Sequence, residues 1–166
     1  MTRERYIRMT ETTRCAVSRL PGGTKALRAP TLLCAVIYCA SLLYLMFTGD
    51  RRIIRAVIVP AVCFAVVTVL RPLIGKQRPY DRYGVPPVGA YKPGKGKSMP
   101  SRHTASAAAI ACAIAYIFPH PAVIACMALL SAVIGSLRVL SGQHDISDVL
   151  AALALSLVIS LVGYRL

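Results

Sequence analysis

Long stretches without charge alternate along this chain with short basic or turn-forming segments, and the stretches have membrane length. Residues 31–48 are 18 positions without one charged side chain. As a helix they extend roughly 27 Å, close to the thickness of a bilayer's hydrocarbon core. Residues 53–70 repeat the pattern with a single interruption, Arg55, placed one turn in, where a long side chain reaches back to the headgroups. Residues 103–118 are rich in alanine, which suits a span packed closely against other helices. Residues 122–140 and 148–164 complete the series. Gly49-Asp50-Arg51-Arg52, Phe118-Pro119-His120-Pro121 and residues 141–147 make the tight connections, and His120 is read as a turn residue. The pattern predicts an all-α integral membrane bundle of about five transmembrane helices.

Residues 2–20 are polar, yet Tyr6, Met9, Ala16, Val17 and Leu20 recur at near-helical intervals. They read as a basic amphipathic helix on the membrane surface or as a solvated tail, ended by Pro21-Gly22-Gly23. The expected organisation is a basic N-terminal segment, residues 1–30, and a membrane-embedded domain, residues 31–166.

Composition sharpens this picture. Of 166 residues 56% are hydrophobic, yet the net charge is +14 with only six acidic residues. The mean hydropathy of +0.60 is too high for an ordinary soluble domain. The two facts agree if the apolar residues sit in lipid while the cations occupy loops and ends. Anionic headgroups and phosphorylated substrates are then the natural partners. Nucleic acid is not expected, because the apolar stretches leave no soluble body to carry it. Cys15, Cys34, Cys39, Cys63, Cys112 and Cys126 show no C-x-x-C pairing, and five of the six fall in apolar stretches. They read as small buried hydrophobes and neither a disulfide framework nor a zinc site. The segment 1–30 carries seven Lys or Arg and no central apolar region, so no cleavable signal peptide is expected.

Residues 71–102 are the one long polar segment, and loops of that length inside compact domains are usually functional. This one ends in Pro100-Ser101-Arg102-His103, where a helix opening would aim free amides at an anion. Ser101 adds a hydroxyl and an N-cap, Arg102 a cation, and His103 a group that titrates near neutrality. Two clusters flank it, Arg71 with Arg78-Pro79 upstream and Arg138, His144 and Asp148 downstream. Alternating spans bring all three to one end. Cleaving a phosphate ester without a metal needs cations on the phosphoryl oxygens, a nucleophile and an acid for the leaving alcohol. Arg71, Arg78 and Arg138 offer planar forks for the oxygens, helped by Ser101 and the amides at Arg102 and His103. His144 and Asp148 are four apart, so on one helix face the carboxylate can hold the imidazole in one tautomer. Near the clusters the carboxylates are Asp81, Asp145 and Asp148, too few for a typical magnesium or two-metal site. No metal or other cofactor is therefore expected.

In order and spacing the three clusters resemble the signature of the type-2 phosphatidic acid phosphatase family, which includes membrane lipid phosphatases and vanadium haloperoxidases. The resemblance covers roughly residues 70–150. It implies that His144 is a nucleophile forming a phosphohistidine, Asp148 its orienter and His103 the acid. Three positions depart from the family pattern: Arg71 stands where Lys is usual, Arg102 where Gly is frequent, and Leu137 where Ser is usual. Lys76 is close to the first cluster but out of register with it. The function so implied is a membrane phosphatase acting on a lipid phosphate or pyrophosphate, of phosphatidylglycerophosphate, phosphatidate or polyprenyl type. The alternatives are a non-catalytic protein binding anionic lipid and a vanadate-dependent haloperoxidase.

The expected location is a bacterial cytoplasmic membrane, and charge gives an expectation for sidedness. The segment 1–30 carries seven Lys or Arg and the segment 71–102 carries eight, whereas the turn at 49–52 carries two and that at 119–121 none. The positive-inside rule then puts the N-terminus and the clusters in the cytoplasm.

Overall fold

The computed structural model describes residues 2–91 and 97–165. All regular structure among them is helical: α1 (Arg3–Ser18), a 3-10 segment (Gly23–Arg28), α2 (Ala29–Phe47), α3 (Arg52–Ile74), α4 (Pro79–Tyr83), α5 (Arg102–Ile117), α6 (Pro121–Leu140) and α7 (Ile146–Arg165). Four helical stretches, built on α2, α3, α6 and α7, are long and apolar enough to cross a membrane. The fifth expected span, α5, has 16 residues and reaches only about 24 Å.

α5 tolerates that length because lipid does not surround it. It packs against α2, α3, α6 and α7, and Ala105, Ala107, Ala108, Ala109 and Ala113 are all buried along it. Apart from Leu20 and Tyr91, the large exposed apolar side chains lie on the outer helices, such as Val36 on α2, Val62 on α3, Leu129 on α6 and Leu161 on α7, and none lies on α5. Small residues let the helices close in. A Cβ at Gly135 of α6 would stand 2.9 Å from Val149 of α7 and 3.4 Å from Thr104 of α5, so only glycine fits where the three meet. Ser156 Oγ of α7 lies 3.1 Å from the Ala105 carbonyl oxygen and ties α7 to α5 through a buried hydrogen bond.

The two ends of the bundle differ. At one end Arg52 donates to the Ile117 carbonyl at 3.0 Å, and His120 caps α6 by accepting from the Ala122 amide at 3.3 Å. His120 therefore lies away from the clusters, as a turn residue. At the other end α3 continues past the expected boundary through Pro72 and stops at Gly75, whose φ of 63° is left-handed. Arg71 thus belongs to the last turn of a helix, not to the loop.

α1 docks at this same end. Tyr6, Thr10 and Val17 form its buried face, while Arg3, Arg5, Arg8, Arg14 and Arg19 are exposed. The N-terminal segment is a helix seated on the protein and no frayed tail. Among the cysteines, Cys34 and Cys63 are buried and Cys112 partly so, but Cys15, Cys39 and Cys126 are exposed. The uniform burial expected of them does not hold, because Cys39 and Cys126 occupy outer faces of α2 and α6.

Candidate active site

Every cluster reaches the α1 end through a helix terminus. Arg71 is 4% exposed in the last turn of α3, and its guanidinium donates to the Lys97 carbonyl. After the left-handed Gly75 the chain reverses and points Lys76 at the start of α7. Its Nζ lies 2.6 Å from Asp148 Oδ1, 2.8 Å from Ser147 Oγ and 3.2 Å from Asp145 Oδ2. Arg78 precedes α4, donates to the Tyr80 hydroxyl at 2.8 Å and lies over the Tyr80 ring. The Arg78 Nε is buried without a hydrogen-bond partner among the described residues. A donor so placed suits an anionic ligand.

Residues 98–103 carry the second cluster past Asp148. The Ser98 amide donates to the Lys76 carbonyl at 2.9 Å, its hydroxyl donates to Asp148, and that hydroxyl is 3.4 Å from His144 Nδ1. Ser101 occupies the N-cap position of α5 but makes no side-chain cap. Its Oγ instead accepts from Thr104 Oγ1 at 3.0 Å, and its amide donates to the Asp148 carbonyl at 3.1 Å. Arg102 and His103 form the first turn and are exposed.

Arg138 ends α6. Its side chain donates to Gln143 Oε1 at 2.9 Å, and its carbonyl accepts from the Gln143 and His144 amides at 3.1 and 3.2 Å. The connection turns at Gly142, with φ of 73°. His144 follows, 3% exposed, with Nδ1 3.4 Å from Asp148 Oδ2. Asp148 is fully buried and also accepts from the Asp145 amide at 3.0 Å. Burial holds the His144 imidazole below its ordinary proton affinity, outweighing the Asp148 carboxylate, which pulls it up. With Nδ1 turned to the carboxylate, Nε2 is the nitrogen left for chemistry.

A cavity of about 690 Å³ opens at this end, lined by Arg78, Arg102, His103, Arg138 and Gln143 among others. That volume lies within the range of roughly 300–1,000 Å³ usual for ligand sites. His144, Asp148, Arg71 and Ser101 are not part of its wall and form the buried layer beside it. The structure thus brings all eight expected residues to one end, four on the wall and four buried behind it.

A family model described as the PAP2 superfamily matches residues 52–166, more than half of the chain. The chain belongs to the PAP2 superfamily. Two solved structures share the fold. LpxE from Aquifex aeolicus aligns at TM-score 0.71 with 19% identity, over 94% of each chain. A PAP2-type transmembrane phosphatidylglycerolphosphate phosphatase from Bacillus subtilis aligns at TM-score 0.67 with 21% identity, over 99% of this chain and 86% of the other. No curated protein matches.

Within this PAP2 chain, several neighbours of the site escaped the sequence. Lys76 holds the buried Asp148 carboxylate from outside the cavity wall. Ser98 bridges the same carboxylate, Gln143 holds Arg138, and Arg82 reaches Asp145 at 3.2 Å. For Lys76 a usable signal existed, since the glycine before it is a helix stop that redirects the next side chain.

Proposed function

We propose that this PAP2 protein is an integral membrane phosphatase that hydrolyses a lipid phosphate or pyrophosphate through a phosphohistidine. The observation that carries the proposal is the buried His144–Asp148 pair beside a cavity wall holding His103 and four arginines. His144 Nε2 attacks phosphorus while the bond from phosphorus to the leaving oxygen breaks, and His103 gives that oxygen a proton. Water, deprotonated by His103, then cleaves the phosphorus–nitrogen bond, and inorganic phosphate and His144 are released. Asp148 keeps the imidazole in the reactive tautomer and balances its charge in the transition state. Arg71, Arg78, Arg102 and Arg138, with Ser101, neutralise the phosphoryl oxygens, so the reaction requires no metal.

The phosphatidylglycerolphosphate phosphatase from Bacillus subtilis that shares this fold favours the same class. An acyl or prenyl tail stays in the bilayer because the site sits at a bundle end. Residues 31–166 form the catalytic domain, with residues 1–30 appended to it, and the site faces the cytoplasm. The test is release of inorganic phosphate from a panel of lipid phosphates, with His144→Ala as control. Turnover should survive EDTA, should be inhibited by vanadate, which mimics a five-coordinate phosphoryl group, and should vanish in His144→Ala. Full activity in that variant would sink the mechanism.

A further inference from the structure

The cavity is more basic than one phosphoryl group requires. Besides Arg78, Arg102 and Arg138, its wall includes Lys25 and Arg28, and no carboxylate lies among its lining residues. Asp148 and Asp145 stand outside the wall and are already engaged by Lys76. Five cations therefore face one compartment with no fixed counter-charge on its described wall, whereas a phosphomonoester brings at most two negative charges.

Lys25 and Arg28 come from a different part of the chain than the other three. They belong to the 3-10 segment that leads into α2, before the stretch matched by the family model at residues 52–166. Both side chains are exposed, and neither has a hydrogen-bond or ion-pair partner among the described residues. Arg28 is nevertheless close enough to Arg138 for the two charges to repel. Like charges held together at a cavity wall are stabilised by an anion shared between them. Leu27 and Leu32 line the cavity beside them, so this side of the wall leads from the cationic region to the outward apolar face of α2. A lipid tail leaving the site on this side would pass directly onto that apolar face.

We infer that Lys25 and Arg28 form a subsite for a second anionic group of the substrate, on the lipid side of the phosphate being cleaved. The preferred substrate is then a lipid with two phosphate groups, the terminal one being removed. Whether the second group is a phosphodiester several atoms away or the inner phosphate of a pyrophosphate, the chemistry of recognition is the same. This rests on the phosphatase reading above and adds to it a choice of substrate.

The experiment compares the full chain with Lys25→Gln/Arg28→Gln, a change of exposed side chains that leaves the packed helices alone. Phosphate release is measured on phosphatidate, phosphatidylglycerophosphate and a polyprenyl pyrophosphate in mixed micelles. For a two-phosphate lipid the double variant should raise KM about tenfold or more with little change in kcat, while phosphatidate kinetics stay as they were. A loss confined to phosphatidylglycerophosphate places the second group at diester distance, and one confined to the pyrophosphate places it adjacent. Equal effects on all three lipids, or none on any, overturn the subsite and leave the phosphatase standing. The same lipids are also titrated onto His144→Ala with and without the double substitution, read by thermal unfolding. If the wild type cleaves none of them, the phosphatase reading fails. The binding comparison then decides the subsite alone, since a preference for two phosphates that depends on Lys25 and Arg28 supports it and equal binding removes it.

Discussion

His144 is drawn in two directions. Burial among the helix ends disfavours its imidazolium, while Asp148 favours it, and burial prevails. A nucleophilic imidazole must be neutral, so the acid limb of kcat/KM should lie below the ordinary histidine value of about 6.5. An acid limb above neutrality would contradict this. The shift also affects stability. The unfolded chain takes up a proton that buried His144 refuses, so the fold should lose stability as pH falls below about 6.5. Asp148→Asn removes the group that orients the ring and raises its proton affinity. Turnover should fall on the order of 100-fold and the acid limb should move further down. A pH–rate profile of the variant reads both effects at once. Lys76 belongs to the same scale. Its ammonium bonds Asp148 Oδ1 while Ser98 and the Asp145 amide hold Oδ2. Lys76→Met should therefore lower kcat about tenfold or more with KM little changed, and Lys76→Arg should restore part of it. The spacing of His144 and Asp148 made their pairing legible in sequence. Lys76 was not, because its direction depends on the left-handed turn at Gly75 and not on a helical period.

At the scale of elements, the helix that least resembles the others from sequence has the most specific attachment. The Tyr6 hydroxyl of α1 lies 3.2 Å from both the Gly142 and the Val85 carbonyl oxygens, and burial raises its pKa to about 12, so it remains a donor. Arg14 adds a bond to the Pro86 carbonyl at 3.2 Å, and the Tyr6 ring lies 5.1 Å from that of Tyr83. α1 thereby braces the connection that delivers His144. Gly142 faces it so closely that a Cβ there would stand 2.6 Å from the Tyr6 hydroxyl. Tyr6→Phe should cost about 1–2 kcal/mol of stability by leaving buried carbonyls without a donor. Gly142→Ala should cost at least as much, since it combines the clash with a left-handed backbone. Thermal unfolding measures both, and a Tyr6→Phe protein as stable as wild type would remove the brace. The near-helical recurrence of Tyr6 and Val17 pointed to this helix. Its seat did not emerge, because the buried tyrosine hydroxyl is satisfied by carbonyls 79 and 136 positions away in sequence. The spans themselves were legible to within a few positions, since lipid imposes both length and composition on helices that face it. α5 was the least typical because protein, not lipid, surrounds it.

At the scale of the whole molecule, the order of helix ends fixes which segments share a side of the membrane. α2 leaves the α1 end and α3 returns to it, α5 starts there, α6 comes back and α7 departs. The N-terminal segment and the site are therefore on one side, and the turns at residues 49–52 and 119–121 on the other. Discounting Arg71, Lys76, Arg78 and Arg102 as site residues leaves four of the eight cations in the segment 71–102, and setting aside Lys25 and Arg28 leaves five of the seven in the segment 1–30. Opposite them, the turn at 49–52 carries two, of which Arg52 is paired with Asp50 at 2.7 Å. Cations resist transfer across an energised membrane, so this imbalance should keep the site end in the cytoplasm. The chain supplies one reporter itself, since Cys15 is exposed on α1 at the site end. His120, exposed at the other end, supplies the second position through His120→Cys in a Cys15→Ala background. In intact cells a membrane-impermeant maleimide should label position 120 and spare Cys15, and Cys15 should react only after the membrane is opened. Labelling of Cys15 in intact cells with position 120 protected would place the site outside and leave its chemistry unchanged.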